Sequence, residues 1–186
     1  MAALSLYPTK NLGAVGEQVH RLRQYGWDAE RRSLFAGINS RLDELQAAIL
    51  RLRLAALEDG NAARRRIADL YDAGLDGIVV PPRRDHRSAH VFHQYVVEVE
   101  ERDRVRDALA ARGIATAIHY PVPIHRQPAY ADRIPLAPGG LPVTDAVCAR
   151  IMSLPIYPEL PVHSANQVVQ ALCELLSNER AGTGPQ

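Results

Sequence analysis

The residue with the clearest chemical potential is Lys10. It is the only lysine among the 22 basic residues of the 186-residue chain, the others being arginines. Because arginine stays protonated in proteins, any chemistry that needs a neutral amine, such as attack on an aldehyde, falls to Lys10. Ser5 lies five residues upstream, where its hydroxyl could donate a hydrogen bond to a phosphate. The alternatives are an ordinary surface lysine and a serine that is satisfied within a strand.

Composition and charge exclude several classes of function. The formal net charge of +1 produces no field that would hold nucleic acid or an anionic membrane. No stretch approaches the roughly 20 apolar residues of a membrane span, and the first residues lack the apolar core of a secretory signal. Cys148 and Cys173 have no metal-like spacing, and neither do the histidines, so no metal site is predicted. The chain is therefore expected to be cytoplasmic, with reduced cysteines rather than a disulfide.

The segments near the amino terminus are predicted to place Lys10 on a loop. Residues 2–7 are apolar and indicate the end of a strand, which Pro8 stops. A short helix is predicted over residues 18–25, ended by Gly26.

A long helix is predicted to follow Ser40. Ser40 and Asp43 form an approximate capping box, and Asp43 and Glu44 place negative charge on the first turn. Apolar side chains then recur every three or four residues, which predicts one buried face made of Leu42, Leu45, Ile49, Leu52 and Ala56. A second helix is expected over residues 62–72, after an interruption at Gly60.

Beyond residue 74 the period of the apolar residues changes, which predicts a small α/β or α+β unit. The expected elements are, in order, strands at 78–80 and 93–98, a helix at 103–112, a strand at 114–118, a helix at 143–152, a strand at 154–157 and a helix at 164–176. Six prolines lie between residues 120 and 142, which indicates a long, shaped loop of the kind that carries function. Residues 178–186 are predicted to be a disordered tail.

Five stretches of the sequence stand out together. They are Ser5 to Gly13 (SLYPTKNLG), Gly37 to Ala48 (GINSRLDELQAA), His93 to Tyr95 (HQY), Ile118 to His125 (IHYPVPIH) and Leu154 to Leu160 (LPIYPEL). In this order they resemble the motifs of the DegT/StrS family of nucleotide-sugar aminotransferases, which use pyridoxal 5'-phosphate (PLP). The resemblance covers residue 2 to about residue 176.

The resemblance implies a fold class and a cofactor. The expected fold is α/β, namely the C-terminal part of a PLP-transferase of fold type I, similar to aspartate aminotransferase. It would comprise mainly the small α/β domain and a long interface helix, with most of the large domain missing. The implied divisions are a large-domain remnant over 1–36, interface helices over 37–74, the small domain over 75–177 and the tail over 178–186. The implied cofactor is PLP.

The family's cofactor-binding residues carry over onto matching positions. The resemblance implies that Lys10 binds PLP covalently and then moves the proton between the substrate carbon and the cofactor. Ser5 would bind the cofactor phosphate. Asn39 would reach the phosphate in the neighbouring subunit, because the family's active sites lie at a dimer interface.

Three further positions match residues that approach the substrate. Arg41 would support the phosphate contact or bind a substrate anion, with a structural salt bridge as the alternative. His119 and Tyr120 would approach the nucleotide-sugar, with core packing as the alternative. His93 and His125 are weaker candidates.

The implied function is transamination of a nucleotide-linked keto-sugar, with glutamate as amino donor, in the biosynthesis of deoxyamino sugars for antibiotics or polysaccharides. The partners would be the nucleotide-sugar, the amino-acid donor and a second copy in a homodimer. Lys10 argues against the sister chemistry, sugar dehydration, in which a histidine replaces the lysine. The alternative is a truncated, inactive family remnant that acts only as a folded or dimerising module. That alternative is open because the family's pyridine carboxylate, stacking aromatic and phosphate cradle have no counterpart here.

Overall fold

The computed structural model describes residues 23–40, 42–85, 89–131 and 133–182, and of residues 178–182 only the backbone. The chain divides into two compact units, Met1–Leu57 and Glu58–Gln186. Ser5, Lys10 and Arg41 lie outside the described residues, as does the predicted strand over 2–7.

The first unit contains an antiparallel hairpin over residues 23–40. Its two arms are joined by backbone hydrogen bonds, from Tyr25 N–H to the Ile38 carbonyl (3.0 Å) and from Leu34 N–H to the Gly26 carbonyl (2.9 Å). The helix predicted over 18–25 is therefore wrong for its described part, residues 23–25. The reason is local, because Tyr25 and Gly26 have φ values of 60° and 72°, which a right-handed helix excludes.

The turn of the hairpin is closed by Asp28. Its carboxylate accepts hydrogen bonds from the backbone N–H groups of Glu30 (3.0 Å) and Arg32 (2.9 Å). The Arg32 side chain returns to the same carboxylate through Nε, at 2.8 Å. Aspartate is favoured in turns for this reason, since a short acceptor side chain replaces backbone partners that the turn lacks.

Replacing Gly26 with alanine is expected to open the hairpin. A Cβ atom at this position would lie 2.0 Å from the Phe35 carbonyl oxygen, and the positive φ adds strain of about 1 kcal/mol for a non-glycine residue. Trp27 is the only tryptophan of the chain, so its fluorescence reports on this hairpin alone. The variant should shift the Trp27 emission to the red in native buffer. Gly77→Ala is the matched control, because Gly77 also has a positive φ (66°) but open space around it.

Helix α1 spans Glu44–Ala55, and Asp43 is its N-cap. The Asp43 carboxylate accepts from the N–H groups of Leu45 (2.9 Å) and Gln46 (3.2 Å). The predicted start at Ser40 is wrong by three residues, because Asp43 supplies the capping side chain and Ser40 still belongs to the hairpin, where its N–H donates to the Arg23 carbonyl. The predicted buried face is also wrong for this chain, since no residue of α1 is buried.

The second unit begins with helix α2, Leu57–Gly74. The predicted interruption at Gly60 is wrong, because the helix continues through Gly60 and the chain leaves helical geometry at Ala56 instead. Glycine lowers helix stability by about 1 kcal/mol relative to alanine, which three buried residues of α2 outweigh: Ile67, Ala68 and Tyr71.

A small antiparallel sheet forms the centre of the second unit. Strands β1 (Tyr95–Glu98) and β2 (Ile151–Leu154) pair so that Tyr95 lies opposite Leu154. Single bridges extend the sheet on both sides, from Val80 to Glu98 and from Ala117 to Ser153. The strands predicted at 78–80 and 114–118 are thus reduced to one bridging residue each. The strand predicted at 154–157 is displaced to 151–154.

Helices cover one face of this sheet. They are α2, α3 (Arg102–Ala111) and α5 (Val162–Gly182), while α4 (Pro142–Arg150) leads directly into β2. The core takes residues from the sheet and from these helices, among them Tyr71, Tyr95, Val97, Val105, Leu109, Met152 and Leu172. The prediction of α3 is confirmed to within one residue. The final helix extends beyond residue 176 to Gly182, so the predicted tail is helical over its first residues.

The long loop predicted at 120–142 is confirmed. Its described residues contain one 3-10 turn, Ile124–Arg126, and at its end the first residue of α4. Prolines prevent regular structure here, because each one removes a backbone donor and fixes φ.

Candidate functional site

His119 and Ser153 meet at the edge of the sheet in the second unit. The Ala117–Ser153 bridge is closed by two backbone hydrogen bonds, Ser153 N–H to the Ala117 carbonyl (2.7 Å) and Ala117 N–H to the Ser153 carbonyl (3.2 Å). Since side chains alternate along extended backbone, His119 falls on the same face as Ala117 and Ser153. The His119 Nδ1 lies 2.9 Å from the Ser153 hydroxyl. His119 is half-buried, and Ser153 is buried.

Tyr120 extends from the same point of the chain and is 69% exposed. Its ring lies edge-on to the His119 imidazole, with centroids 5.7 Å apart and planes at 88°. The peptide bond between the two residues is cis. An exposed phenol beside a half-buried imidazole offers two hydrogen-bonding groups and an aromatic surface to a ligand.

Asp145 of helix α4 binds the loop that follows Tyr120. The Arg126 guanidinium donates to both Asp145 carboxylate oxygens at 2.6 Å, and His125 Nε2 lies 3.1 Å from Oδ1. The Arg126 hydrogen bonds lower the pKa of Asp145, with a smaller contribution from His125. The His125 side chain is 8% exposed, so the structure gives this weaker sequence candidate a packing role.

Replacing Asp145 with asparagine is expected to loosen this loop. The neutral amide cannot accept both guanidinium donors, so hydrogen exchange at the amides of Arg126, Gln127 and Tyr130 should become faster. Because the pKa of Asp145 is lowered by folding, its contribution to stability is present above the unfolded pKa of about 3.9 and is lost as the pH falls through the lowered value. The loop of the parent chain should therefore loosen only in strong acid. An Asp107→Asn variant, which affects a surface pair on α3, controls for loss of charge.

The segment after β2, which belongs to the LPIYPEL motif, is held by two side chains of α2. Arg64 donates to the Ile156 carbonyl (2.9 Å) and reaches the carbonyls of Phe92 and His93 at 3.3 and 3.4 Å. Tyr71 donates to the Pro155 carbonyl at 2.7 Å. Burial lowers the pKa of Arg64. The sequence predicted the helix that carries both side chains but gave no signal for Arg64, which is the first of three consecutive arginines.

Asn39 lies in the first unit, on the return arm of the hairpin. Its backbone pairs with Gln24, and its side chain is exposed. The neighbouring hydrogen bonds, from Tyr25 N–H to the Ile38 carbonyl and from Ser40 N–H to the Arg23 carbonyl (2.9 Å), fix the backbone on both sides. An exposed carboxamide on a fixed backbone can donate two hydrogen bonds to a phosphate, which fits the phosphate of PLP.

The structure therefore brings His119 and Tyr120 together and holds Asn39 on a separate unit. Lys10, Ser5 and Arg41 are outside the residues that the structure describes. Within the described ranges, no three histidine, cysteine or acidic side chains are grouped closely enough to hold a metal ion. No helix in those ranges has the length and apolar character needed to cross a bilayer.

The sequence profile of the DegT/DnrJ/EryC1/StrS aminotransferase family matches residues 1–173. The chain is 40% identical over 193 residues to dTDP-3-amino-3,4,6-trideoxy-α-D-glucose transaminase from Streptomyces venezuelae, covering 94% of this chain and 50% of that protein. Other relatives are named as aminotransferases of dTDP- or UDP-linked sugars. The chain spans about half the length of the curated relatives it matches.

Solved structures of the same group superimpose well. A DegT DnrJ EryC1 StrS aminotransferase from Brucella abortus matches with a TM-score of 0.84 at 34% identity, covering 91% of this chain and 49% of that one. S. venezuelae DesV, solved in complex with a ketimine intermediate, matches with a TM-score of 0.83 at 39% identity, covering 91% and 50%. The predicted α/β fold, a part of the fold of these aminotransferases, is confirmed.

Proposed function

The chain belongs to the DegT/DnrJ/EryC1/StrS aminotransferase family, and from that premise we propose that it takes part in PLP-dependent transamination of a nucleotide-linked keto-sugar. Glutamate is the proposed amino donor, and the product is a nucleotide-linked deoxyamino sugar for antibiotic or polysaccharide synthesis. The observation that carries the proposal is the likeness to DesV over 91% of this chain at 39% identity. The names of its relatives support a dTDP- or UDP-linked substrate.

The proposed cofactor site is made of residues of the first unit. Lys10 binds PLP covalently, and Ser5 and Asn39 donate hydrogen bonds to its phosphate. Asn39 serves the neighbouring subunit of a homodimer. When bound, PLP supplies an electron sink for the carbon that loses its proton. Lys10 then holds and returns that proton, which requires an amine partly shielded from water.

The residues proposed to contact the substrate are His119 and Tyr120 of the second unit and, separately, Arg41. His119 and Tyr120 form an exposed pair that contacts the nucleotide-sugar, and Arg41 binds an anionic group of the substrate or supports Asn39. Aromatic and hydrogen-bonding groups side by side suit a sugar nucleotide, which presents flat rings, hydroxyls and phosphate oxygens.

The proposal is tested by following the first half of the reaction. The purified chain is saturated with PLP, L-glutamate is added, and 2-oxoglutarate is quantified together with the change in cofactor absorbance. One 2-oxoglutarate for each bound PLP is the expected result. Formation no faster than with free PLP would contradict the proposal. L-Alanine and L-glutamine in parallel reactions identify the donor.

A second candidate function is a folded, dimerising module without catalysis. The observation that favours it is helix α1, whose leucines are exposed, with Leu45 at 69% and Leu52 at 79%. Such a row is typical of a surface that another protein covers. Sedimentation velocity without PLP tests this candidate, since it requires a dimer that Leu52→Glu converts to a monomer. Arg51→Glu is the control for added negative charge on the same helix. Because the proposed enzyme is also a dimer, the half-reaction with L-glutamate separates the two: the module forms no 2-oxoglutarate beyond the free-PLP rate.

A further inference from the structure

The hydroxyl of Ser153 is buried, and it has a single hydrogen-bonding partner in the described part of the chain. Ser153 is 5% exposed, and that partner is the His119 ring at Nδ1. We infer that Ser153 is a positioning residue, which holds His119 so that its other nitrogen, Nε2, carries the proton and donates it to an oxygen of the nucleotide-sugar. The identity of the ligand rests on the proposed function, whereas the positioning of the His119 ring by Ser153 does not.

The position of the proton follows from counting donors and acceptors. Between a serine hydroxyl and a neutral imidazole, either the hydroxyl donates to Nδ1 or the Nδ1 proton is donated to the hydroxyl. In the second case the hydroxyl hydrogen would remain buried with no acceptor among the described residues. An unsatisfied buried donor is more costly than a made hydrogen bond is favourable. Ser153 therefore donates to Nδ1, and the neutral ring keeps its proton on Nε2.

The Nε2 proton has no acceptor in the described part of the protein. No hydrogen bond to Nε2 is found within the described ranges, and the ring is half-buried. The bridge between Ala117 and Ser153 fixes the backbone that carries both side chains. The Tyr120 ring lies edge-on to the imidazole, with centroids 5.7 Å apart. The result is a fixed N–H donor beside an exposed phenol.

The first test measures the tautomer directly. In the chain labelled with nitrogen-15, long-range proton–nitrogen correlation spectra above the titration range of histidine should show the His119 proton on Nε2. Ser153→Ala should move both ring nitrogens towards averaged shifts, because the ring loses its fixed partner. A proton on Nδ1 in the parent chain would overturn the inference. So would ring signals that Ser153→Ala leaves unchanged.

Thr116 provides the matched control. Its hydroxyl is buried in the same part of the sheet and has no hydrogen-bonding partner in the described structure. Thr116→Val removes a buried hydroxyl without removing a hydrogen bond, so the NMR signals of the His119 ring should not change. Ser153→Thr, which keeps the hydroxyl, should retain the tautomer of the parent chain. A merely structural role of Ser153 would not produce this pattern.

The second test measures the ligand, with dTDP-glucose and UDP-N-acetylglucosamine as probes in calorimetric titrations. Ser153→Ala should weaken binding by about five- to tenfold, the effect of one hydrogen bond, and Thr116→Val by less than about twofold. His119→Gln, whose amide can place a donor near Nε2, should bind better than His119→Phe. Unchanged binding by Ser153→Ala, despite an altered tautomer, would refute the donor role. If the parent chain bound neither probe, the ligand assignment and the proposed function would both fail. The tautomer measurement would still show whether Ser153 positions the His119 ring.

Discussion

Replacing Lys10 with alanine is expected to abolish covalent capture of PLP and to lower transamination by about 10³-fold or more. The chain has no second lysine that could take over, and its arginines remain protonated. Reduction with borohydride in the presence of PLP, followed by peptide mass spectrometry, should place the pyridoxyl group on the peptide that contains Lys10. Because there is one lysine, the assignment of the labelled side chain is unambiguous.

Lys10→Arg is the matched control, since it keeps the positive charge and removes the reactive amine. It should behave as the alanine variant does. Labelling of either variant to the extent of the parent chain would place the chemistry on the terminal amine and refute the role of Lys10. A parent chain that is not labelled would favour the non-catalytic module over the enzyme.

Replacing Tyr71 with alanine is expected to destabilise the second unit by about 3–5 kcal/mol. The Tyr71 side chain is fully buried, its ring centroid lies 5.1 Å from that of Tyr95, and its hydroxyl donates to the Pro155 carbonyl. Alanine removes the ring from the core and leaves that carbonyl without its donor. Urea denaturation followed by circular dichroism measures the change in the free energy of unfolding.

Tyr71→Phe separates the ring from the hydroxyl. This variant keeps the packing and loses one hydrogen bond, so it should cost only about 1–2 kcal/mol. Equal losses of unfolding free energy for the two variants would show that packing of the ring contributes nothing. That result would contradict the buried position of Tyr71 in the structure. Leu45→Ala on the exposed helix α1 is a suitable control for the loss of an apolar side chain, and should change the stability little.

The same tyrosine gives the stability a pH dependence. Burial raises the pKa of Tyr71, and burial together with the hydrogen bond to Asp72 raises that of Tyr95. A phenol whose pKa is raised by folding contributes full stability below its unfolded pKa of about 10 and loses it as the pH rises towards the folded value. The parent chain should therefore lose stability from about pH 10 upwards. Tyr71→Phe should lose less over that range.

The sequence predicted the second unit better than the first, for physical reasons. Helix α3 and strand β1 were found because their apolar residues keep a regular period and face one core. The hairpin over 23–40 was missed because it depends on left-handed backbone at Tyr25, a residue for which that conformation is rare. Burial of α1 was wrongly predicted, since an apolar stripe shows what a helix can bury and not what is present to cover it.

The candidate site was predictable in part. His119 and Tyr120 were found by resemblance, and their contact is a property of the structure. Ser153 was not found, because a serine inside an apolar run gives no sign of the partner that its hydroxyl will meet across the sheet. Arg64 was missed likewise, since its three acceptors are backbone carbonyls, two of them 28 and 29 residues away in sequence and one 92 residues away.

The two edges of the sheet also affect whether the second unit can pair with another copy of itself. An open sheet edge presents unpaired N–H and carbonyl groups, on which a strand of another molecule can grow into an aggregate. Here each edge segment pairs with the sheet through one residue, Val80 on one side and Ala117 on the other. Prolines follow Val80 at positions 81 and 82 and follow Ala117 at positions 121 and 123. Proline has no N–H to offer, so these positions cannot donate a backbone hydrogen bond to an added strand. The same prolines that shape the loop after Tyr120 thus limit how far this edge can pair with another copy.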